Sequence, residues 1–233
     1  MLITAIVFLA IFTQSLSGFG LALVSMPLLI GLIGVQTATP LMALVGIVAE
    51  SIMLLYYRDS FNLGAVGGLT VAAVVGIPLG LVFLRRVDEG LVTAVLGLIL
   101  ILYALYALVG FKLPHLAHPL WAIGFGFIGG VIGGAYNTSG PPAIIYGTCR
   151  RWPPLEFKSN LQGFFVITSV AAIASHALAG NFTLIVWHDF LLALPGIALG
   201  LIAGFSLDKI INPQRFRQLI LILLIILGIR LIL

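Results

Sequence analysis

Long apolar runs occupy most of the chain, at about residues 1–35, 39–57, 64–84, 90–110, 119–148, 160–179, 185–206 and 216–233. The short stretches between them hold nearly all the charge. Runs this long and continuous predict membrane-spanning α-helices, and the lack of period-two alternation excludes a transmembrane β-barrel. Two runs do not fit one crossing. Residues 1–35 as a single helix would measure about 52 Å, against a hydrocarbon core of about 30 Å, yet two full crossings need roughly 40 residues. Each overlong run carries a polar, glycine-rich interruption, QSLSGFG at 14–20 and YNTSGPP at 136–142. The spacing predicts helix–break–helix in both. Backbone freed at such a break must be buried in protein or line a wet cavity, because lipid offers it no hydrogen bond.

Composition strengthens this picture. Of 233 residues 61% are hydrophobic and only 8% charged, and the mean hydropathy is +1.25. That excludes a soluble domain and defines an all-α polytopic membrane protein of about eight hydrophobic segments. No stretch is long or polar enough for a second domain, so residues 1–233 are read as one membrane domain embedded in a lipid bilayer. The excess of 11 Lys+Arg over 7 Asp+Glu forms no stripe, and suits membrane orientation and headgroup contact rather than nucleic acid. The single cysteine, Cys149, permits no intrachain disulfide and suggests no metal cluster, and no cofactor is expected. Residues 1–16 lack a basic n-region and a small-residue cleavage site, and are expected to belong to the mature protein.

The two halves echo each other. GIPLGLVFLRRVD (76–88) returns as GIALGLIAGFSLD (196–208), Ser-Gly at 17–18 returns at 139–140, and ATPLMALVGIVAES (38–51) is loosely matched by RWPPLEFKSNLQGFFVITS (151–169). Their common offset of roughly 120 points to duplication, with repeat 1 at about 1–112 and repeat 2 at about 118–233. If each broken segment turns back on its own side, a half has three crossings and the repeats are inverted; if it crosses, a half has four and they are parallel. The positive-inside rule gives eight basic residues against three either way. In the re-entrant arrangement the eight are Arg58, Lys112, Arg150, Arg151, Lys158, Lys209, Arg215 and Arg217, and the three are Arg85, Arg86 and Arg230. The inverted, re-entrant arrangement is taken as the working expectation, with the crossing one still open.

A new helix is expected to begin at each break. Pro141 and Pro142 suit a first turn, Thr138 or Ser139 is a candidate N-cap, and Ser17 could cap a helix starting near Gly18–Gly20. Helix N-termini present unpaired N–H groups and about half a positive charge, so two meeting inside the bundle form an anion site without a buried Arg or Lys. The expected binding residues are Gln14, Ser17, Gly18, Phe19, Gly20, Asn137, Thr138, Ser139, Gly140 and Pro141, with Asn160 and Gln162 from the following helix.

SGFGLALVSMPLL (17–29) and GGAYNTSGPPAIIYGTCRRWPPLEFKSNLQGFF (133–165) resemble the paired signatures of the sulfite exporter TauE/SafE family, also called the 4-toluene sulfonate uptake permease family. The family's first glycine-rich run is reduced here to Gly18 and Gly20 around Phe19. The resemblance covers essentially the whole chain. It implies a multi-pass protein of the bacterial cytoplasmic (inner) membrane that moves small sulfur-containing or organic anions, sulfite or a sulfonate among them.

Arg150, Arg151 and Lys158 flank the second break and either steer anions or anchor the cytoplasmic side. Glu50, inside an apolar run, is either a proton carrier or the partner of Arg58, and His176 is a second candidate carrier. The sequence shows no nucleotide loop, no HExxH and no Ser-His-Asp set, and no enzymatic activity is expected. Export of sulfite or an organosulfonate is the leading expectation, with alternating access from one half rocking against the other. Proton-coupled uptake of a sulfonate or carboxylate, a structural membrane subunit and a membrane-embedded enzyme remain as alternatives, and both a monomer and a homodimer stay open.

Overall fold

A computed structural model describes residues 1–110, 113–208 and 210–233. Among them ten α-helices follow one another: α1 (Leu2–Ser17), α2 (Leu21–Ile33), α3 (Val35–Tyr57), α4 (Leu63–Arg86), α5 (Glu89–Val109), α6 (Leu120–Tyr136), α7 (Gly140–Cys149), α8 (Pro154–Leu178), α9 (Leu184–Leu207) and α10 (Pro213–Ile232). The eight apolar runs become ten helices because the first and fifth are interrupted where the polar breaks lie. Among the described residues five helices, α3, α4, α5, α8 and α9, are long and apolar enough to cross a membrane. At 1.5 Å per residue α1, α2, α6 and α7 measure about 24, 20, 26 and 15 Å, each short of the hydrocarbon core.

Both broken segments fold back on themselves. Leu2, Ala5, Ile6 and Leu9 at the start of α1 border one groove with Leu28, Gly31 and Leu32 at the end of α2. In the second half the Phe125 and Tyr146 rings pack 6.1 Å apart, and Leu116 N–H donates to the Cys149 carbonyl at 3.4 Å. Each hairpin therefore begins and ends on one face of the bundle, and the two enter from opposite faces. On the first face Val35 N–H donates to Glu89 Oε1 at 3.0 Å, and Arg230 lies beside Gly31. On the second, Asn62 N–H donates to Asn160 Oδ1 at 2.9 Å and Lys158 meets Asp208 at 2.8 Å. Arg58, Arg150, Arg151, Lys158, Arg215 and Arg217 belong to the second face and Arg85, Arg86 and Arg230 to the first. Lys112 and Lys209 lie outside the described residues.

Glycine sets the closest helix contacts. A Cβ on Gly126, Gly130 or Gly134 of α6 would collide with the carbonyls of Leu69, Ala73 or Ile77 on α4, and Gly76 and Gly80 of α4 face the α6 backbone in the same way. On the other side of the bundle, Gly196, Gly200 and Gly204 of α9 lie against Thr4, Phe8, Ile11, Phe12 and Ser15 of α1. Four-residue glycine spacing lets two backbones approach, which drives helix association where lipid removes the hydrophobic incentive. The stretches at 76–88 and 196–208 thus do the same thing: each fourth helix seats the broken helix that opens the other half. The tight pairs α4–α6 and α1–α9 cross the sequence halves, so neither half is a separate packing unit.

Candidate functional site

The turn between α1 and α2 needs glycine. Gly18 ends α1 at φ 82° and Gly20 stands before α2 at φ 119°, a region that side-chain-bearing residues avoid. The expected capping by Ser17 does not occur. Its hydroxyl donates back to the Thr13 carbonyl at 2.7 Å and also meets the Phe19 carbonyl, since a serine at a helix end finds acceptors in its own last turn. Gln14 takes the capping role instead: Oε1 accepts from Leu21 N–H at 2.9 Å, while Nε2 donates to Gln162 Oε1 at 3.0 Å. Gln162 Nε2 then donates to the Gly18 carbonyl at 2.8 Å, closing a buried chain that ties the first hairpin tip to α8.

At the second break Asn137 takes the left-handed turn, φ 51°. Ser139 occupies the N-cap position of α7, but its side chain makes no capping bond, and Thr138 Oγ1 donates back to the Tyr136 carbonyl at 2.8 Å. Ser139 thus holds the expected N-cap position without the capping bond, and Thr138 is not the cap. The consequence is chemical: no side chain hydrogen-bonds the start of α7 as a cap. Pro141 and Pro142 carry no N–H, so the amides on offer there are those of Gly140 and the break itself.

The two breaks share one cavity. Gln14, Gly20, Leu21, Ala22 and Leu23 line it from the first hairpin, and Asn137, Thr138, Ser139 and Gly140 from the second. Glu50 of α3 and Phe165, Thr168 and Ser169 of α8 complete the wall, with Ser169 Oγ donating to Glu50 Oε2 at 2.7 Å. The space between them is about 30 Å³. That holds about two or three waters, since about 10–15 Å³ on this measure takes one.

Other expected site residues fall elsewhere. Ser17 and Phe19 line a separate cleft of about 430 Å³ on the second face, with Lys158, Asp208, Gln214 and Arg217. Pro141 is buried but does not line the cavity, and Gln162 bonds the lining residue Gln14 and the Gly18 carbonyl. Asn160 bonds Glu156 and the Asn62 amide, so it fastens the α8 start to the loop before α4. Arg150 donates to the Leu116 and Ala117 carbonyls at 2.9 and 3.0 Å, and Lys158 is held by Asp208 and lies 5.5 Å over the Tyr57 ring. Of these three cations, Arg151 is the exposed one. His176 bonds Asn181 at 2.8 Å, away from the cavity.

The expected alternative of a Glu50–Arg58 pair is also corrected. Arg58 sits in a single 3-10 turn after α3 and meets Asp59 at 3.7 Å, while Glu50 is only 5% exposed. Eight residues carry a helix about 80° round and 12 Å along, which places the two side chains on different faces. The sequence reading missed Thr168 and Ser169. A signal existed: aligned from their ends, the loosely matching stretches 38–51 and 151–169 set Glu50-Ser51 opposite Thr168-Ser169.

Two interrupted hairpins entering from opposite faces, with an internal polar cavity between their tips, define a multi-pass membrane transporter. The family model for the sulfite exporter TauE/SafE matches residues 3–231, and the chain belongs to that family. It is a transporter family rather than an enzyme family, and its members carry small anions in a lipid environment. No curated protein and no solved structure matches the chain.

Proposed function

We propose that the protein exports a small sulfur-containing oxyanion, sulfite or an organosulfonate, across the bacterial cytoplasmic membrane, and that the anion binds between the starts of α2 and α7. One observation carries this reading: two helix N-termini from breaks about 120 residues apart line one cavity with no lysine or arginine among its described lining residues. Their amides and partial positive charges suit a compact oxyanion. With the basic second face in the cytoplasm, the cleft bearing Lys158 and Arg217 is the inner approach, separated from the cavity by the Gln14–Gln162–Gly18 bonds. A negative interior then favours outward movement by about 2.3 kcal/mol per 100 mV for each net negative charge that crosses.

The chain is read as two inverted repeats, about 1–112 and 118–233, each a hairpin followed by three long helices. The moving bodies are not the repeats themselves. A body that carries α6 also carries α4, and one that carries α1 carries α9, because glycine-tight backbones cannot slide apart cheaply. Access would alternate by shifting these mixed bodies about α3 and α8.

A thermal-shift panel on purified protein tests the substrate class. Sulfite, thiosulfate or a sulfonate should raise the melting temperature, corresponding to about 2.7 kcal/mol at a hundredfold excess over Kd. Stabilisation by carboxylates alone would contradict the reading.

A further inference from the structure

Resting on the anion site proposed above, we infer that Glu50 is a proton-binding site coupled to it: one proton joins the cavity with each anion and crosses with it. Glu50 is the ionisable side chain among the residues that line the cavity, sharing the wall with both helix starts. It is buried, and Ser169 Oγ donates to its Oε2.

Among the described residues no cation nearby balances a charge on it. α1, α2, α6 and α7 contain no Asp, Glu, Lys, Arg or His. On α8 the charged or titratable residues are Glu156, Lys158 and His176. Lys158 is engaged by Asp208 and His176 by Asn181, and they stand about 16 Å and about 10 Å along the helix from Ser169. On α4, Arg85 and Arg86 are exposed at the end of the helix on the first face. On α9, His188 and Asp189 meet each other at 3.2 Å. An unpaired carboxylate inside a membrane bundle is costly.

An ionised Glu50 and an anion in the same cavity repel. At about 4 Å, in the effective dielectric of a protein site, each weakens the other's binding on the order of a thousandfold. A neutral Glu50 removes that repulsion and supplies an O–H donor to an anion oxygen. The proton passes from water to the carboxylate as the anion enters and returns to water as it leaves, with no covalent change. A monovalent anion then crosses electrically silent, and a divalent one carries a single net negative charge.

Methanesulfonate is the probe, because its charge stays fixed across the working pH range. Wild-type protein should bind it about tenfold more weakly per pH unit once Glu50 ionises in the empty site. Glu50→Gln should bind it with a pH-independent affinity, while Ser169→Ala keeps the pH dependence. In proteoliposomes with an internal pH dye, wild type should move one proton per methanesulfonate. Binding by wild type that ignores pH, or an unchanged pH dependence in Glu50→Gln, would overturn the coupling while leaving the anion site standing. Absence of binding in both proteins at every pH overturns the anion site and the coupling with it. If Glu50→Gln does not fold, wild-type co-transport decides: a proton accompanying the anion supports the inference and none refutes it.

Discussion

Gly130→Val is expected to leave almost no folded protein, the largest effect of any single substitution considered for this chain. A Cβ at Gly130 lands on the Ala73 carbonyl and on backbone carbon of the same residue, so α4 and α6 must separate to admit it. Backbone cannot rotate out of the way as a side chain can. Overpacking a core commonly costs about 1–3 kcal/mol, and prying apart two backbones along several turns exceeds that range. Against a typical total of about 5–15 kcal/mol, the bundle loses much of its margin. Detergent-solubilised yield and melting temperature check it. Gly124→Val on the same helix is the control, because a Cβ there meets open space within 4 Å, and it should fold as wild type does.

Gly140→Leu is expected to do the opposite, sparing the fold and abolishing the anion site. A Cβ at Gly140 has ordinary room, 3.6 Å from Ile144 Cδ1 and 3.8 Å from Phe165 Cζ. The remaining leucine atoms have only the cavity of about 30 Å³ to occupy, beside the amides left bare at the start of α7. Melting temperature without ligand should change little. Stabilisation by sulfite should fall by about a hundredfold in apparent affinity, equivalent to about 2.7 kcal/mol. Gly140→Ala should retain most of the binding, since one methyl fits the space. Undiminished stabilisation of Gly140→Leu by sulfite would move the site away from the second break.

Much of the architecture was legible because it is written in run lengths and local chemistry. A run of 35 residues fits neither one crossing nor two, and QSLSGFG and YNTSGPP mark where the chain must leave the helix. The echo between 76–88 and 196–208 was legible as text, but its meaning was not. Gly76 and Gly196 matter for what they touch, and they touch the opposite half, a relation that no local pattern encodes. Those contacts across the halves are why mixed bodies, rather than whole halves, are proposed to move.

At the site itself, backbone features were easier to read than side-chain partners. The breaks do meet at one cavity, as two helix starts of like polarity in matched positions suggested. The capping did not follow the usual short side chains. Ser17 and Thr138 had acceptors closer at hand in the turns they end, while Gln14, seven residues before Leu21, reaches its amide only because Gly18 and Gly20 turn the chain back. Glu50 stood out in an apolar run, yet its partner Ser169 lies 119 residues away and looks like one more helical serine.

The most direct measurement is anomalous scattering from the protein crystallised with selenite, the heavier analogue of sulfite. The account predicts one selenium peak between residues 20–23 and 137–140, within hydrogen-bonding reach of the amides at the starts of α2 and α7. A peak confined to the cleft around Lys158 and Arg217, with the space between the two hairpins empty of anion, would contradict it.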